Sequence, residues 1–267
     1  MIRFIFIFLV MNIGTVQAQV EPAPLASSIE ILEMDRLGQL YLVNDKQEVL
    51  KYSRNGQLLA RYSNFQLGAV GTLDASNPFA ILVYYPNFQK AIILNRNLTE
   101  VSLFDLQEFG FWEVPTVALA SDNNIWLVDP LDNILIKVDA QGNRIVQSAN
   151  ILQQTGLSPG ILRIREAEQS VWLSTDQHFL WQYDVFGQWV QKLPFTCSSP
   201  AVQILRDRFF FLEEGEPYVF RSGALEANPL TGVQQEGVFS TFLVRETEAI
   251  ILAEGEVWVY SFGKEKE

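Results

Sequence analysis

A short apolar strand pattern returns six times along this chain, roughly every forty residues. The clearest copies are LYLVND at 40–45, IWLVD at 125–129 and VWLSTD at 171–176; weaker ones are AILVYY at 80–85, FFFLEE at 209–214 and IILAE at 250–254. Marked by Val43, Val83, Val128, Ser174, Leu212 and Ala253, the copies lie 40, 45, 46, 38 and 41 residues apart. Several short strands within a period of this length define the blade of a β-propeller. The repeated strand is apolar on both faces, as a strand sandwiched between neighbouring blades must be. Trp126, Trp172 and Phe210 fall at equivalent positions and are expected to pack between blades.

The first period reads as strands at 29–34, 40–43, 49–53 and 58–62, with a tight hairpin at Arg54, Asn55 and Gly56. Asn-Gly favours a type I′ turn, which needs positive φ at both central residues. The hairpin recurs at Gly142, Gly187 and Gly223, behind third strands at 134–139, 179–184 and 217–220. The expected fold is therefore all-β: a six-bladed β-propeller with four antiparallel strands per blade. The sixth period stops early, because 257–260 aligns with the third strands and only residues 261–267 follow. Residues 20–27 are expected to supply the missing strand and close the ring, since an open edge invites association. Pro22 and Pro24 are tolerable there, on an outermost edge.

The third period, NNIWLVD at 123–129, NILIKVD at 133–139 and then Gly142, resembles the blade pattern of NHL-type and TolB-like six-bladed propellers. The first period, GQLYLVN at 38–44 with Lys51, Tyr52, Asn55 and Gly56, is similar. Such families include sugar lactonases, lyases and binding scaffolds, so the resemblance implies an architecture and leaves the function open.

The first residues read as an export signal: Arg3, an apolar run at 4–11, and VQA at 16–18 before the expected cut. The domain plan is thus a signal peptide at 1–18 and one propeller domain at 19–267, placed in the periplasm or secreted. No other stretch is long and uncharged enough to cross a bilayer. Cys197 is the sole cysteine, so no intramolecular disulfide forms, and none lies near the cut to carry a lipid. Without Arg3 the chain holds 18 basic and 31 acidic residues, a net charge of −13. That balance disfavours nucleic acid and anionic lipid surfaces and leaves a basic protein partner or a cation.

Chemistry is expected on one face of the ring. The turns after the second strands and the connections between blades open there, and the irregular segments 105–114, 150–160, 194–200 and 225–237 collect on it. Equivalent turn positions carry Asn44, Asp129, Thr175, Glu213 and Glu254, with Asp45, Asp176 and Glu214 beside them and Tyr84 and Tyr85 in the second blade. A ring of carboxylates suits a divalent cation, yet Asp and Asn also suit blade turns through local hydrogen bonds. His178 and Cys197, each the only residue of its kind, make a conceivable nucleophilic pair, although no family motif surrounds them. One histidine excludes multi-histidine zinc centres, and neither a phosphate loop nor a Gly-x-Ser-x-Gly elbow is present.

The segment 104–114 places Phe109, Phe111 and Trp112 in a blade connection, where they either plug the ring or anchor an interface. The favoured reading is a non-catalytic binding module with no cofactor, docking an envelope or secreted protein. Its expected contacts are Phe109, Phe111, Trp112 and Phe195, with Asp45, Asp129, Asp176 and Glu213 steering the approach. The alternative is a metal-dependent lactonase- or lyase-like enzyme that uses the turn carboxylates as ligands.

Overall fold

The computed structural model describes residues 28–230, 239–245, 248–253 and 256–261; the expected closing strand at 20–27 lies outside them. The first sheet is β1 (Ile29–Met34), β2 (Leu40–Asn44), β3 (Glu48–Tyr52) and β4 (Leu58–Ser63). The second is β5 (Thr72–Asn77), β6 (Ala80–Tyr85), β7 (Lys90–Leu94) and β8 (Glu100–Asp105). The third is β9 (Val117–Leu119), β10 (Ile125–Asp129), β11 (Ile134–Val138) and β12 (Arg144–Gln147). The fourth is β13 (Ile161–Ala167), β14 (Ser170–Thr175), β15 (Phe179–Asp184) and β16 (Trp189–Thr196). The fifth is β17 (Gln203–Leu205), β18 (Arg208–Glu213), β19 (Glu216–Arg221) and β20 (Asn228–Pro229). Each sheet is an antiparallel meander in chain order.

This is a β-propeller, with one correction to the expected count. Five sheets are four-stranded blades, not six; the last period forms a three-stranded sheet of β21 (Phe239–Arg245), β22 (Glu248–Ala253) and β23 (Glu256–Ser261). The fourth-strand position of that sheet has no occupant among the described residues.

Packing follows directly from the doubly apolar second strands. Each hydrophobic cluster is built by two neighbouring sheets. Val43 and Val49 pack with Ile81 and Val83, and Leu82 and Tyr84 pack with Leu127 and Ile136. Trp126, fully buried, meets Val171 and Leu173 of the fourth blade. Trp172 lies against Phe209 edge to face, with ring centroids 4.9 Å apart, and Phe210 packs with Phe242 and Ile251. Leu32, Leu42 and Leu50 of the first sheet pack with Leu243, Ile250 and Leu252 of the last, so the clusters run round a complete circle. The indole N–H of Trp126 donates to Glu166 Oε2 at 2.5 Å, which satisfies a donor that burial would otherwise strand.

The blade hairpins differ from the expected type I′ turns. Only the glycine is left-handed, at Gly56 (φ 76), Gly142 (φ 81) and Gly187 (φ 79). In the first blade Gly56 N donates to Ser53 O and Ser53 N to Gln57 O, and the ladder slips by one residue between Lys51 and Tyr52. This is a longer loop closed by a bulge, which needs one positive φ instead of two. The opening side chain locks it: Asp139 Oδ1 accepts from the amides of Gln141 and Asn143, and Asp184 Oδ1 from those of Phe186 and Gln188. Leu98 (φ 58) replaces the glycine in the second blade, with Asn95 accepting from Asn97 and Thr99.

Candidate functional site

The β2–β3 type turns and the blade connections do share one face, and among the described residues hydrogen bonds latch these turns to connections. Val70 N donates to Gln47 Oε1 at 2.8 Å, bringing the first connection onto the first turn. Gln89 reaches into the second connection, accepting from Val114 N at 2.8 Å and donating to Val114 O at 3.2 Å. Ile151 N donates to Asn133 O and Asn150 Nδ2 to Asp132 O, tying the third turn to a short helix α1 (Ile151–Thr155). Ser198 N donates to Glu213 Oε2 at 2.8 Å in the fifth blade.

The aromatic connection separates its three rings. Phe111 is buried in the cluster between blades two and three, under the guanidinium of Arg144 at 5.1 Å. Phe109 is partly buried against the same cluster and meets Phe104 edge to face. It also fills the space where a Cβ on Gly142 would stand, 2.4 Å from its ring. Trp112 points outward and is 51% exposed. Phe195 is not on a connection, because β16 continues through Pro194 to Thr196 and stacks Phe195 on Phe211 at 4.6 Å in the core. An outermost strand accommodates the proline since its ladder partner lies on one side only.

The acidic positions also divide. Asp45 and Asp176 are exposed and Glu213 is partly exposed, whereas Asp129 is buried. Asp129 Oδ1 accepts from Leu131 N at 3.0 Å, and its other oxygen lies 3.7 Å from Arg144. Asn44 and Thr175 likewise bond within their own turns, while Tyr84 and Tyr85 are fully buried. Glu254 lies outside the described residues. Among the described residues no three His, Cys, Asp or Glu side chains converge on a metal-sized site.

His178 and Cys197 are neighbours, but through their backbones. Cys197 N donates to His178 O at 3.0 Å, the thiol also faces that carbonyl, and His178 Nδ1 lies 3.2 Å from Cys197 O. Burial, with Glu213 adding to it, pushes the Cys197 thiol up to about 12, away from a reactive thiolate.

An unanticipated group occupies the axis. The first strands of neighbouring sheets, including β1, β5, β9 and β13, touch one another around it. Glu33 on β1 is almost fully buried and accepts from Arg163 and Arg165 on β13, the latter at 3.3 Å. Arg165 is held firmly protonated: burial opposes its charge, and Glu33 and Asp74 more than compensate. Two arginines at alternate positions of an innermost strand were the readable signal. In isolation that spacing reads as an ordinary wet face.

With this geometry in view, the comparisons with known proteins define a class. No protein-family model matches the chain, and no curated protein matches it. Among solved structures it is similar to virginiamycin B lyase from Staphylococcus aureus, at 12% identity and a TM-score of 0.60, covering 90% of this chain and 81% of that one. It is also similar to a streptogramin B lyase (13% identity, TM-score 0.58, 91% and 81% covered) and to BamB from Moraxella catarrhalis (12%, 0.50, 88% and 83%). At such identities the likeness shows the β-propeller fold alone. The NHL-type reading continues to rest on the blade motif. Among the described residues no helix is long and apolar enough to cross a membrane.

Proposed function

We propose that this chain is an exported, non-catalytic propeller that binds a protein through its first face. Residues 1–18 act as the signal, the partner is an envelope or secreted protein, and residues 20–27 supply a closing strand to the last sheet. The observation that carries the proposal is Trp112, a large ring held half in solvent on a connection whose other rings are fixed in the core. A rigid aromatic offered this way binds at low entropic cost. Phe109 and Phe111 support it from beneath, and Phe195 belongs to the core that fixes the neighbouring connection. Asp45, Asp176 and Glu213 steer the partner electrostatically, while Asp129 shapes the turn beside it.

A lyase-like reading has less behind it. Asp129 is engaged within its own turn, Glu213 accepts from Ser198 N on a connection, and the Cys197 thiol is buried against a carbonyl. One solved virginiamycin B lyase is a histidine-to-alanine variant described as catalytically inactive. The single histidine here lies with Nδ1 3.2 Å from the backbone carbonyl of Cys197.

Co-purification of the native protein from its envelope fraction tests the proposal, with the wild type and Trp112→Ala compared side by side. The variant should bind its partner about 2 kcal/mol or more weakly at an unchanged melting temperature. Neutralising Asp45 and Asp176 should mainly slow association and flatten its salt dependence. Undiminished partner recovery with Trp112→Ala would remove the first face as the interface.

A further inference from the structure

We infer that the first face carries a continuous apolar strip, running from the first blade connection to helix α1, that docks a polypeptide segment of mixed apolar and basic character. This rests on the reading of the first face as protein-binding.

Five consecutive segments, 63–71, 86–90, 105–117, 129–134 and 150–158, are joined one to the next. Gly71 has Pro86 against its Cβ position, and Gln89 grips Val114. Arg144 covers Phe111 while facing Asp129 and Asp132, and Asn133 accepts from Ile151 N. Each segment exposes one large apolar side chain: Phe65, Phe88, Trp112, Leu131 and Leu152, from 45% for Phe88 to 76% for Leu131. Single exposed apolar residues are ordinary on a protein surface. Here five successive, cross-latched segments each present one, which is how an interaction surface differs from scatter.

Charge selects the occupant. The five segments contain Asp105, Glu108, Glu113, Asp129 and Asp132. Lys90 pairs with Asp105 and Arg144 faces Asp129 and Asp132, so the acidic excess of the strip rests on Glu108 and on Glu113 beside Trp112. A second copy of the chain would set carboxylates against carboxylates. A lipid surface would have to desolvate Glu113 beside Trp112 and Asp132 beside Leu131, at a large cost for charged groups. A segment with apolar anchors and flanking Lys or Arg meets both features at once.

The test selects binders from a displayed library of random peptides, roughly 12 residues long, against the full chain. Enriched peptides should carry net positive charge with at least two large apolar residues, and their affinity should fall as salt rises. Phe65→Ser and Leu131→Ser should each weaken those peptides about tenfold or more without lowering the melting temperature. Peptides that ignore both substitutions but respond to Asp176→Asn or Glu213→Gln would overturn the strip and leave the first face intact. Enrichment of acidic or purely polar peptides would also overturn it, and no enrichment at all would remove both readings. Sedimentation with phosphatidylcholine vesicles, or self-association, that Leu131→Ser abolishes would replace the peptide with lipid or with a second copy.

Discussion

Glu33 and Arg163 stand 130 residues apart in sequence and meet across the axis of the ring, joining the first blade to the fourth. The hydrophobic clusters link neighbouring sheets, whereas this pair, with Arg165 beside it, spans the circle. Glu33→Gln leaves Arg163 without its carboxylate partner and Arg165 with Asp74 alone. Loss of one partner from a buried pair costs about 3–5 kcal/mol. The denaturant midpoint should fall accordingly, with little rescue by added salt because the site is shielded from counterions. A midpoint equal to wild type would mean that the pair is not held in solution.

Trp126→Ala should cost about 3–5 kcal/mol, since the indole is fully buried between blades three and four. Trp126→Phe keeps much of the packing but strands Glu166 Oε2, for about 1–2 kcal/mol. Equilibrium unfolding of the two variants separates volume from hydrogen bond. A Trp126→Phe midpoint equal to wild type would show that the bond to Glu166 contributes nothing, and equal losses in the two variants would show that the packing contributes nothing.

How much of this was legible depended on how local the cause was. The doubly apolar runs that make β2, β10 and β14 are visible residue by residue, as is the inter-blade place of Trp126. The hairpins were misread because Asn55-Gly56 was weighed without Ser53 and Gln57, the residues that close the longer loop. The sequence assigns 194–200 to an irregular segment, although an outermost strand accepts Pro194 and carries Phe195 into the core. For the candidate site, the position of the aromatic connection was readable, but not which ring would face water. That choice is made by Arg144 and Gly142, supplied from the next blade.

Gly142→Ala should report on that choice. Its φ of 81 disfavours any side chain, and the new methyl would strike the Phe109 ring. A cost of about 1–3 kcal/mol is expected from the backbone alone. Phe109 should move as well, so the fluorescence of neighbouring Trp112 should shift; a variant with native stability and native emission would contradict the close packing.

Asp105 gives a pH dependence with a definite sign. Burial alone would raise its carboxyl pKa, but Lys90, 2.5 Å away, and the amides of Glu108 and Gln107 hold it below its ordinary 3.8. A folded-state pKa below the unfolded one stabilises the protein fully above the unfolded value. That stabilisation disappears as pH falls from there through the folded value. Lys90→Met should therefore narrow the gap to wild type as the pH drops below about 4, measured as denaturation midpoints across the acid range. A gap that stays constant through that range would exclude the pair as its source.

Cys197 should react slowly with a thiol reagent at neutral pH, at a rate that follows unfolding, because the sulfur is buried and its pKa is raised to about 12. Rapid labelling of native protein would place the thiol at the surface.

Because each hydrophobic cluster draws on two sheets, no blade owns a core that would survive its excision. Cutting out one period would open two half-interiors at once and leave the remaining ends unmatched in curvature. Nicking an exposed hairpin such as 53–57 should accordingly release no stable fragment, and the nicked chain should melt in one step. Such a ring gains or loses size in whole periods, and its least replaceable junction is the one where the first sheet packs on the last.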